Sequence, residues 1–241
     1  DQVVTLTATI NYKDFTDTKT FEVTVKSLAP AEYSFEGDLT ELKAAYANAK
    51  PTGDRIDNTG GNVTFVEGIK GQAVFLQGSG VRLPNNLITT NDYSVSMWLK
   101  PEMFSDYTTA FFAGASSSAW ISLVPSMDGT NKTRLWATAG AFFDNGELDT
   151  RIPQGEWTHL VMTVDGNNGD TLKMYVNGEL KIEAGGFPRV FTVAGETNEF
   201  ALGVNYWDTP FNGAVDELKI FNGAIDADAI KALYDAATAQ E

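Results

Sequence analysis

Hydrophobic and polar residues alternate in short segments along the whole chain. In the segment 3–10 (VVTLTATI) the even-numbered residues are apolar and the odd-numbered ones are mostly threonine. The alternation returns at 20–25 (TFEVTV), after a polar, turn-like stretch. A period of two is typical of a half-buried β-strand, so residues 1–30 are predicted to form a hairpin with one buried face. Because two strands alone are marginal in water, this hairpin needs a partner.

Short apolar segments separated by glycine and polar turns continue from residue 31 to the end of the chain. They are YSFEG (33–37), AVFLQG (73–78), GVRLP (80–84), YSVSMWLKP (93–101), TAFFAG (109–114), AWISLVP (119–125), TRLWATAG (133–140), WTHLVMTVDG (157–166), LKMYVNGELKIEA (172–184), EFALGV (199–204) and AVDELKIFNG (214–223). Asn177-Gly178 is a strong signal for a two-residue hairpin turn, since both central positions of that turn need a positive φ. Many short strands with regular turns predict an all-β sandwich or barrel.

Two segments follow a helical period instead. In 39–50 (LTELKAAYANAK), the residues Leu42, Ala45, Tyr46 and Ala49 have i, i+3, i+4, i+7 spacing. Near the end of the chain, Asp226 is suited to be an N-cap, and Ile225 and Ile230 can form a hydrophobic staple across it. The sequence therefore predicts two short helices, which we expect at the periphery of the sandwich.

Composition and charge narrow the possible functions. The chain has 241 residues, 43% of them hydrophobic, which excludes intrinsic disorder. Its net charge of -15 makes a role in binding nucleic acid implausible. There is no cysteine, which excludes disulfides and thiolate metal sites, and no apolar run is long enough to span a membrane. The chain begins at Asp1 without Met, which suggests a piece of a longer protein.

The order of several segments resembles the concanavalin A-like lectin/glucanase superfamily, and within it the laminin-G-like (LamG) domains of bacterial secreted proteins. The segments that carry the resemblance are YSFEGDL (33–39), VEGIKGQAVFLQGSGVRLP (66–84), DYSVSMWLKPE (92–102), GEWTHLVMTVDG (155–166), LKMYVNGEL (172–180) and FNGAVDELKIFNGAIDADAIKALY (211–234). The resemblance implies that residues 31–241 form a concanavalin A-like jelly-roll β-sandwich. Residues 1–30 resemble the last two strands of a bacterial Ig-like domain and are interpreted as the remnant of a preceding domain.

The resemblance also implies one structural calcium ion that ties the first strand to the penultimate motif. Asp216 in GAVDEL occupies the matching position, with Asp38 and carbonyls near Glu36 or Gly71 as further donors. Calcium binds six to eight oxygens, so two carboxylates, backbone carbonyls and water would suffice. The alternative is that these acids are solvated residues at strand ends.

Several aromatic residues with polar neighbours are candidates for binding carbohydrate, because sugars stack on aromatic faces while polar groups hold their hydroxyls. A Tyr-Trp pair in a polar loop is costly to expose without a use. The candidates are Tyr206, Trp207, Asp208, Trp120, Trp136, Arg134, Phe143 and Asp144. The jelly-roll resemblance would place several of them on the concave face or its rim. The alternative for each aromatic residue is core packing, which we favour for Trp98 and Trp157.

Catalytic residues of the superfamily's glycosidases are not found in their usual pattern. Those enzymes carry two glutamates flanking an aspartate on one strand, and the sequence has no ExDxE or ExDxxE run. The only histidine, His159, lies in a predicted strand and is interpreted as a structural hydrogen-bonding residue. No catalytic residue is therefore predicted.

The leading hypothesis is a non-catalytic, lectin-like carbohydrate-binding module of a bacterial polysaccharide-processing protein that is secreted, periplasmic or on the cell surface. Its partners would be a polysaccharide or other glycan and an adjoining catalytic domain, with no nucleic acid and no membrane span. Two alternatives stay open: a glycoside hydrolase with a non-standard carboxylate pair, and a structural or adhesive spacer. The assignment of a carbohydrate-binding function rests on analogy between folds.

Overall fold

The computed structural model describes residues 2–25, 29–191 and 197–239. Strands β1 (Gln2–Tyr12) and β2 (Phe15–Val25) pair with each other in a sheet of their own. Leu6 lies opposite Phe21 and both are more than half exposed, so the face expected to be buried is open in the part of the chain that is described. Residues 1 and 26–28 lie outside the described residues, and the assignment to a preceding Ig-like domain stays a prediction.

The other fifteen strands of the described residues build the sandwich. In chain order they are β3 (Ala31–Tyr33), β4 (Lys50–Thr52), β5 (Thr64–Glu67), β6 (Gln72–Gln77), β7 (Gly80–Leu83), β8 (Asp92–Met103), β9 (Phe111–Ser116), β10 (Ala119–Val124), β11 (Arg134–Ala139), β12 (Phe142–Phe143), β13 (Thr158–Asp165), β14 (Thr171–Val176), β15 (Glu179–Ala184), β16 (Glu199–Leu202) and β17 (Asn212–Phe221). The first of them ends earlier than the sequence suggests, because Phe35 has a positive φ of 55° and interrupts the segment 33–37. The turn between β14 and β15 is as predicted, with positive φ at Asn177 and Gly178.

Two antiparallel sheets face each other, as in a concanavalin A-like jelly roll. The seven-stranded sheet has the order β12-β11-β10-β9-β16-β7-β4, and the eight-stranded sheet has the order β15-β14-β13-β8-β17-β6-β5, with β3 paired to β17. The strands β9 to β12 and β13 to β15 pair in chain order, whereas the pairs β9-β16, β8-β17 and β17-β6 join distant parts of the chain, so the sandwich also depends on long-range pairing. The all-β jelly-roll prediction is confirmed.

Alternation along the strands separates the core from the outer faces. In β10, Ile121 and Leu123 join the main core, whereas Trp120 belongs to a smaller cluster with Phe112 and Val204. This second cluster lies on the outer face of the seven-stranded sheet. The sheet is therefore apolar on both sides near β9 and β10, which is unusual for a sheet that faces water on one side.

One of the two predicted helices is present. Helix α1 (Ala227–Thr238) begins after Asp226, whose side chain accepts a hydrogen bond from the Ala229 backbone N–H at 2.8 Å. Ile230 and Ile225 pack on the outer face of the eight-stranded sheet, as expected for the staple. No helix in the described part of the chain is both long and apolar enough to cross a membrane.

The predicted helix at 39–50 is wrong. The segment forms turns, Leu42 is 60% exposed, and Ala44 has a positive φ of 52°. The buried Glu41 carboxylate explains the difference, because it accepts hydrogen bonds from the backbone N–H groups of Glu32, Ala45 and Tyr46. These bonds hold the backbone in a compact loop that competes with the helix.

Candidate functional site

Three neighbouring strands place aromatic side chains on the outer face of the seven-stranded sheet. Trp120 lies in β10, Trp136 in β11 and Phe142 in β12. In each strand the adjacent residue points inward, so Leu135 and Phe143 belong to the core. The alternation of the strands thus places an aromatic surface on the outer face, while the residues between point into the core.

The rings of this surface contact one another closely. The centroids of Trp120 and Trp136 are 5.1 Å apart with the rings nearly perpendicular, and Trp136 stacks on Phe142 at 5.4 Å. Trp207, from the loop between β16 and β17, reaches over the sheet to lie 5.7 Å from Trp120 and 5.8 Å from the buried Phe112. Edge-to-face and stacked pairs of this kind fix ring orientation, so the surface is preformed.

The buried side chain of Asn205 holds the loop that carries Trp207. Its Oδ1 accepts hydrogen bonds from the backbone N–H groups of Trp207 at 2.9 Å and Asp208 at 2.8 Å. Its Nδ2 donates to Thr109 Oγ1 at 2.9 Å and to Asp208 Oδ2 at 2.6 Å. One amide group therefore fixes both the indole and the carboxylate of the loop.

Asp208 adds a partly buried acid to this surface. Burial raises the pKa of its carboxyl group, while the hydrogen bond from Asn205 and the charge of Arg55 act in the opposite direction. A carboxylate with free acceptor capacity beside aromatic rings is suited to hold hydroxyl groups.

Together these side chains enclose a cavity of about 490 Å³, here called the aromatic cavity. Phe142 is 60% exposed and Trp207 45% exposed at its walls, which leaves large apolar surfaces open to solvent. Its lining residues are Ser117, Ser118, Trp120, Trp136, Thr138, Gly140, Phe142, Trp207 and Asp208. The combination of apolar walls with a few hydroxyl and carboxylate groups is typical of small-molecule sites.

The structure brings together five of the eight candidate residues for carbohydrate binding. Trp120, Trp136, Trp207 and Asp208 line the aromatic cavity, and Tyr206 lies beside it against Phe112 and Trp207.

The other three candidates lie elsewhere. Phe143 packs in the core, 5.0 Å from Phe187, so it is not available to a ligand. Arg134 binds Asp144 at 2.5 Å, and neither lines the aromatic cavity. Phe142, which was not among the eight candidates, is the residue of β12 that lines the aromatic cavity. The strand period indicates only that Phe142 and Phe143 face opposite sides of the sheet, and not which of the two faces outward.

The residues expected to bind calcium are only partly assembled. The Asp216 carboxylate accepts hydrogen bonds from the backbone N–H groups of Ile69 and Lys70, and Glu36 accepts one from Gln72, so both acids approach the turn between β5 and β6. Asp38 instead accepts a hydrogen bond from Thr40.

A calcium ion would have to compete with those N–H donors. Gly71 lies next to the Glu36 carboxylate, but its carbonyl accepts a hydrogen bond from Gly68. Among the residues that the structure describes, no group of three or more His, Cys, Asp or Glu side chains is arranged to hold a metal. The ligand types suit calcium, and calcium stays a prediction.

His159 occupies a structural position on the opposite sheet. Its Nε2 is 2.9 Å from Ser96 Oγ, and its ring stacks on Trp98 at 5.0 Å beneath Tyr234 of helix α1. Burial lowers the pKa of the imidazole to about 4. The hydrogen-bond partner of its ring among the described residues is Ser96 and not an acid, which fits the interpretation as a structural hydrogen-bonding residue.

Comparison with solved structures gives a relative that spans most of the chain. Domain 4 of AbnA, a GH43 extracellular arabinanase from Geobacillus stearothermophilus, was solved in complex with arabinotriose. The two are 42% identical with a TM-score of 0.79, and the match covers 87% of this chain and 100% of that domain.

More distant structures share the fold alone. The binding domain of Paraclostridial Mosquitocidal Protein 1 is 14% identical with a TM-score of 0.57, over 87% of this chain and 52% of that one. The sialidase of Trypanosoma rangeli is 15% identical with a TM-score of 0.59, over 85% of this chain and 32% of that one. The comparison with curated proteins returned no match.

A family profile described as the concanavalin A-like lectin/glucanases superfamily, of the laminin G type, matches residues 76–231. The match covers well over half of the chain and contains β7 to β17 with the aromatic cavity. The chain therefore belongs to the concanavalin A-like lectin/glucanases superfamily.

Proposed function

We propose that this chain is a non-catalytic carbohydrate-binding module and that the aromatic cavity is its binding site. The observation that carries the proposal is the preformed arrangement of Trp120, Trp136, Phe142 and Trp207 around one open cavity. The C–H faces of a sugar ring can stack on such rings, while Asp208 and the nearby hydroxyls accept and donate hydrogen bonds. Exposed aromatic surface of this extent is rarely kept without a ligand.

The ligand class that we propose is an arabinose-containing oligosaccharide or polysaccharide. The support is the related domain at 42% identity, which was solved with arabinotriose. That domain is part of an extracellular arabinanase, so we also propose that this chain is secreted and works beside a catalytic domain that degrades glycans.

A catalytic role is less well supported by the same cavity. Glycoside hydrolysis uses two carboxyl groups about 5–10 Å apart on either side of the scissile bond. Asp208 is the only acid among the described residues that line the aromatic cavity. One carboxylate can hold a sugar hydroxyl but cannot serve as both acid and base or nucleophile. Glu199 lines the neighbouring cavity, where it is paired with Arg82 at 2.6 Å, so the arrangement favours binding.

Native affinity electrophoresis tests the proposal. The protein should be retarded in gels that contain arabinan, and less or not at all in gels with xylan or β-glucan. Trp207→Ala should restore its mobility, whereas Phe21→Ala should not, because Phe21 is an exposed aromatic residue in the separate hairpin. Unchanged mobility of the wild type in every gel would refute the binding function. A cleared track in the stained polysaccharide would show an enzyme.

We also propose a structural calcium ion at Asp216, as the family resemblance suggests. Asp216 is a fully buried residue of β17 that faces the turn after β5. Burying a carboxylate without a cation is costly. Saturating calcium should raise the midpoint of thermal unfolding relative to EDTA, since a ligand that binds only the folded state stabilises it. Asp216→Asn should abolish the difference. Equal midpoints in calcium and EDTA for the wild type would refute the proposal.

A further inference from the structure

A second cavity of about 190 Å³ adjoins the aromatic cavity, and we call it the Glu199 compartment. The two share Ser117 and Trp207, so the indole of Trp207 stands between them. The lining residues of the Glu199 compartment are Gly114, Ala115, Ser116, Ser117, Glu199, Tyr206 and Trp207. A ligand that occupied both cavities would have to pass over Trp207.

The strand register shows that the two cavities belong to one line across the sheet. Phe142 lies opposite Thr138, Thr138 opposite Trp120, Trp120 opposite Gly114, and Gly114 opposite Glu199. These five residues occupy five adjacent strands. Strands lie ~4.8 Å apart, so four spacings give a line about 19 Å long. A single sugar ring is about as wide as one spacing, and the line is therefore several rings long.

Gly114, between Trp120 and Glu199 in this line, has no side chain and so leaves the sheet surface open. A Cβ atom at this position would lie 3.1 Å from the ring of Phe112 and 3.3 Å from Cβ of Trp120. Any larger residue would crowd the rings that support Trp207. The absence of a side chain leaves room beneath the loop where the two cavities meet.

The Glu199 compartment is more polar than the aromatic cavity. Ser116 and Ser117 are exposed hydroxyl groups, and the Glu199 carboxylate is held by Arg82 Nη2 at 2.6 Å. Hydroxyls and a fixed carboxylate can bind the hydroxyl groups of a sugar without a stacking platform of their own. The aromatic cavity would then supply most of the apolar contact and the Glu199 compartment most of the polar contact.

The charges of the two cavities favour a neutral ligand. Each lining contains one carboxylate, Asp208 or Glu199, and neither lining includes Lys or Arg among the described residues. The chain as a whole carries a net charge of -15. Because Arg82 pairs with Glu199, the repulsion of a uronic acid chain would come from Asp208 and from the net negative charge of the protein.

We propose that the Glu199 compartment is a second sugar-binding subsite, and that the two cavities form one groove for a neutral oligosaccharide that crosses Trp207. This inference rests on the proposed carbohydrate-binding function. It adds that the ligand is recognised along its length, over at least three sugar units, and that uronic acid chains are excluded.

Isothermal titration with oligosaccharides of increasing length tests the groove. Wild type should bind arabinotriose at least tenfold more tightly than arabinose. Ser116→Trp places a large side chain in the Glu199 compartment and should lower the affinity for arabinotriose at least tenfold, while leaving the affinity for arabinose unchanged. Thr89→Trp is the matched control, because Thr89 is exposed and lies outside both linings. Thermal unfolding of each variant shows that the fold is kept.

The outcomes separate this inference from the proposed function. If wild type binds none of arabinotriose, xylotriose and cellotriose, the carbohydrate-binding function itself fails and the groove with it. If wild type binds arabinotriose and Ser116→Trp binds it equally well, the second subsite is refuted while the binding function stands. Trigalacturonate should show no binding, and an affinity equal to that of arabinotriose would refute the charge argument.

Discussion

Replacing Asn205 by Ala should weaken ligand binding although no sugar is expected to contact that residue. Asn205 is 1% exposed and lies below the loop, whereas Trp207 and Asp208 line the aromatic cavity. The substitution removes every hydrogen bond that ties the loop to the sheet through this side chain. The indole then has to be ordered by the ligand instead of by the protein.

The size of the effect follows from what the side chain holds. Two backbone N–H groups, at Trp207 and Asp208, would lose their acceptor, and Thr109 would lose a donor. Ordering the backbone of one residue costs ~1–2 kcal/mol, and each 1.4 kcal/mol changes a dissociation constant tenfold. With two loop residues released, the cost is ~2–4 kcal/mol, and we expect the affinity for arabinotriose to fall by about 30-fold to about 700-fold.

The assay is titration calorimetry at a temperature well below the unfolding midpoint of every variant. Asn198→Ala is the matched control: Asn198 is also a buried Asn, and its Nδ2 donates to the Ile88 carbonyl, outside the lining of the aromatic cavity. Both variants should unfold at lower temperature than wild type, but only Asn205→Ala should lose affinity. Wild-type affinity in Asn205→Ala would refute the positioning role.

Three further predictions concern other parts of the molecule. The single imidazole should titrate by NMR with a midpoint near 4, because burial lowers the pKa of His159. The unfolded chain takes up this proton at higher pH than the folded protein does, so the contribution of His159 to stability falls as the pH drops from 6.5 to 4. A midpoint near 6.5 would contradict the burial of the ring. Phe142→Ala should weaken arabinotriose binding with little change in the unfolding midpoint, whereas Phe143→Ala should cost ~3–5 kcal/mol of stability measured by urea unfolding. The reverse pattern would show that Phe143, and not Phe142, lies on the outer face of the sheet. Glu41→Ala should lower stability by at least about 2 kcal/mol, because three backbone N–H groups lose their acceptor, and Glu41→Gln should retain more of it; unchanged urea unfolding of Glu41→Ala would refute the role given to this carboxylate.

The all-β jelly roll could be predicted from the sequence because the signals for strands and turns are local. The alternation of β8 and β13, the turn at Asn177-Gly178 and the N-cap at Asp226 each depend on residues close in sequence. The error at 39–50 has a different cause. The helix prediction relied on the spacing of apolar side chains. The loop conformation is determined instead by one polar group, the Glu41 carboxylate, which accepts hydrogen bonds from three backbone N–H groups.

The binding site was predictable in its residue types but not in its arrangement. Trp120, Trp136 and Trp207 are each recognisable as candidates, yet their contact requires β11, β10 and the loop after β16 to meet. The choice between Phe142 and Phe143 depends on which of them faces Ala137 and which faces Thr138 in the neighbouring strand. Such pairing between strands is a property of the whole sheet and cannot be inferred from the sequence of either strand alone.

The line of residues across five strands makes the site sensitive to errors in folding. A slip of one residue between β10 and β11 would turn Trp136 into the core and bring Leu135 to the surface, since side chains alternate with a period of two. A collapsed chain with the right amount of β-structure but the wrong register would therefore have no aromatic cavity. Recovery of ligand binding during refolding thus measures the formation of correct strand register, whereas circular dichroism reports only that strands have formed.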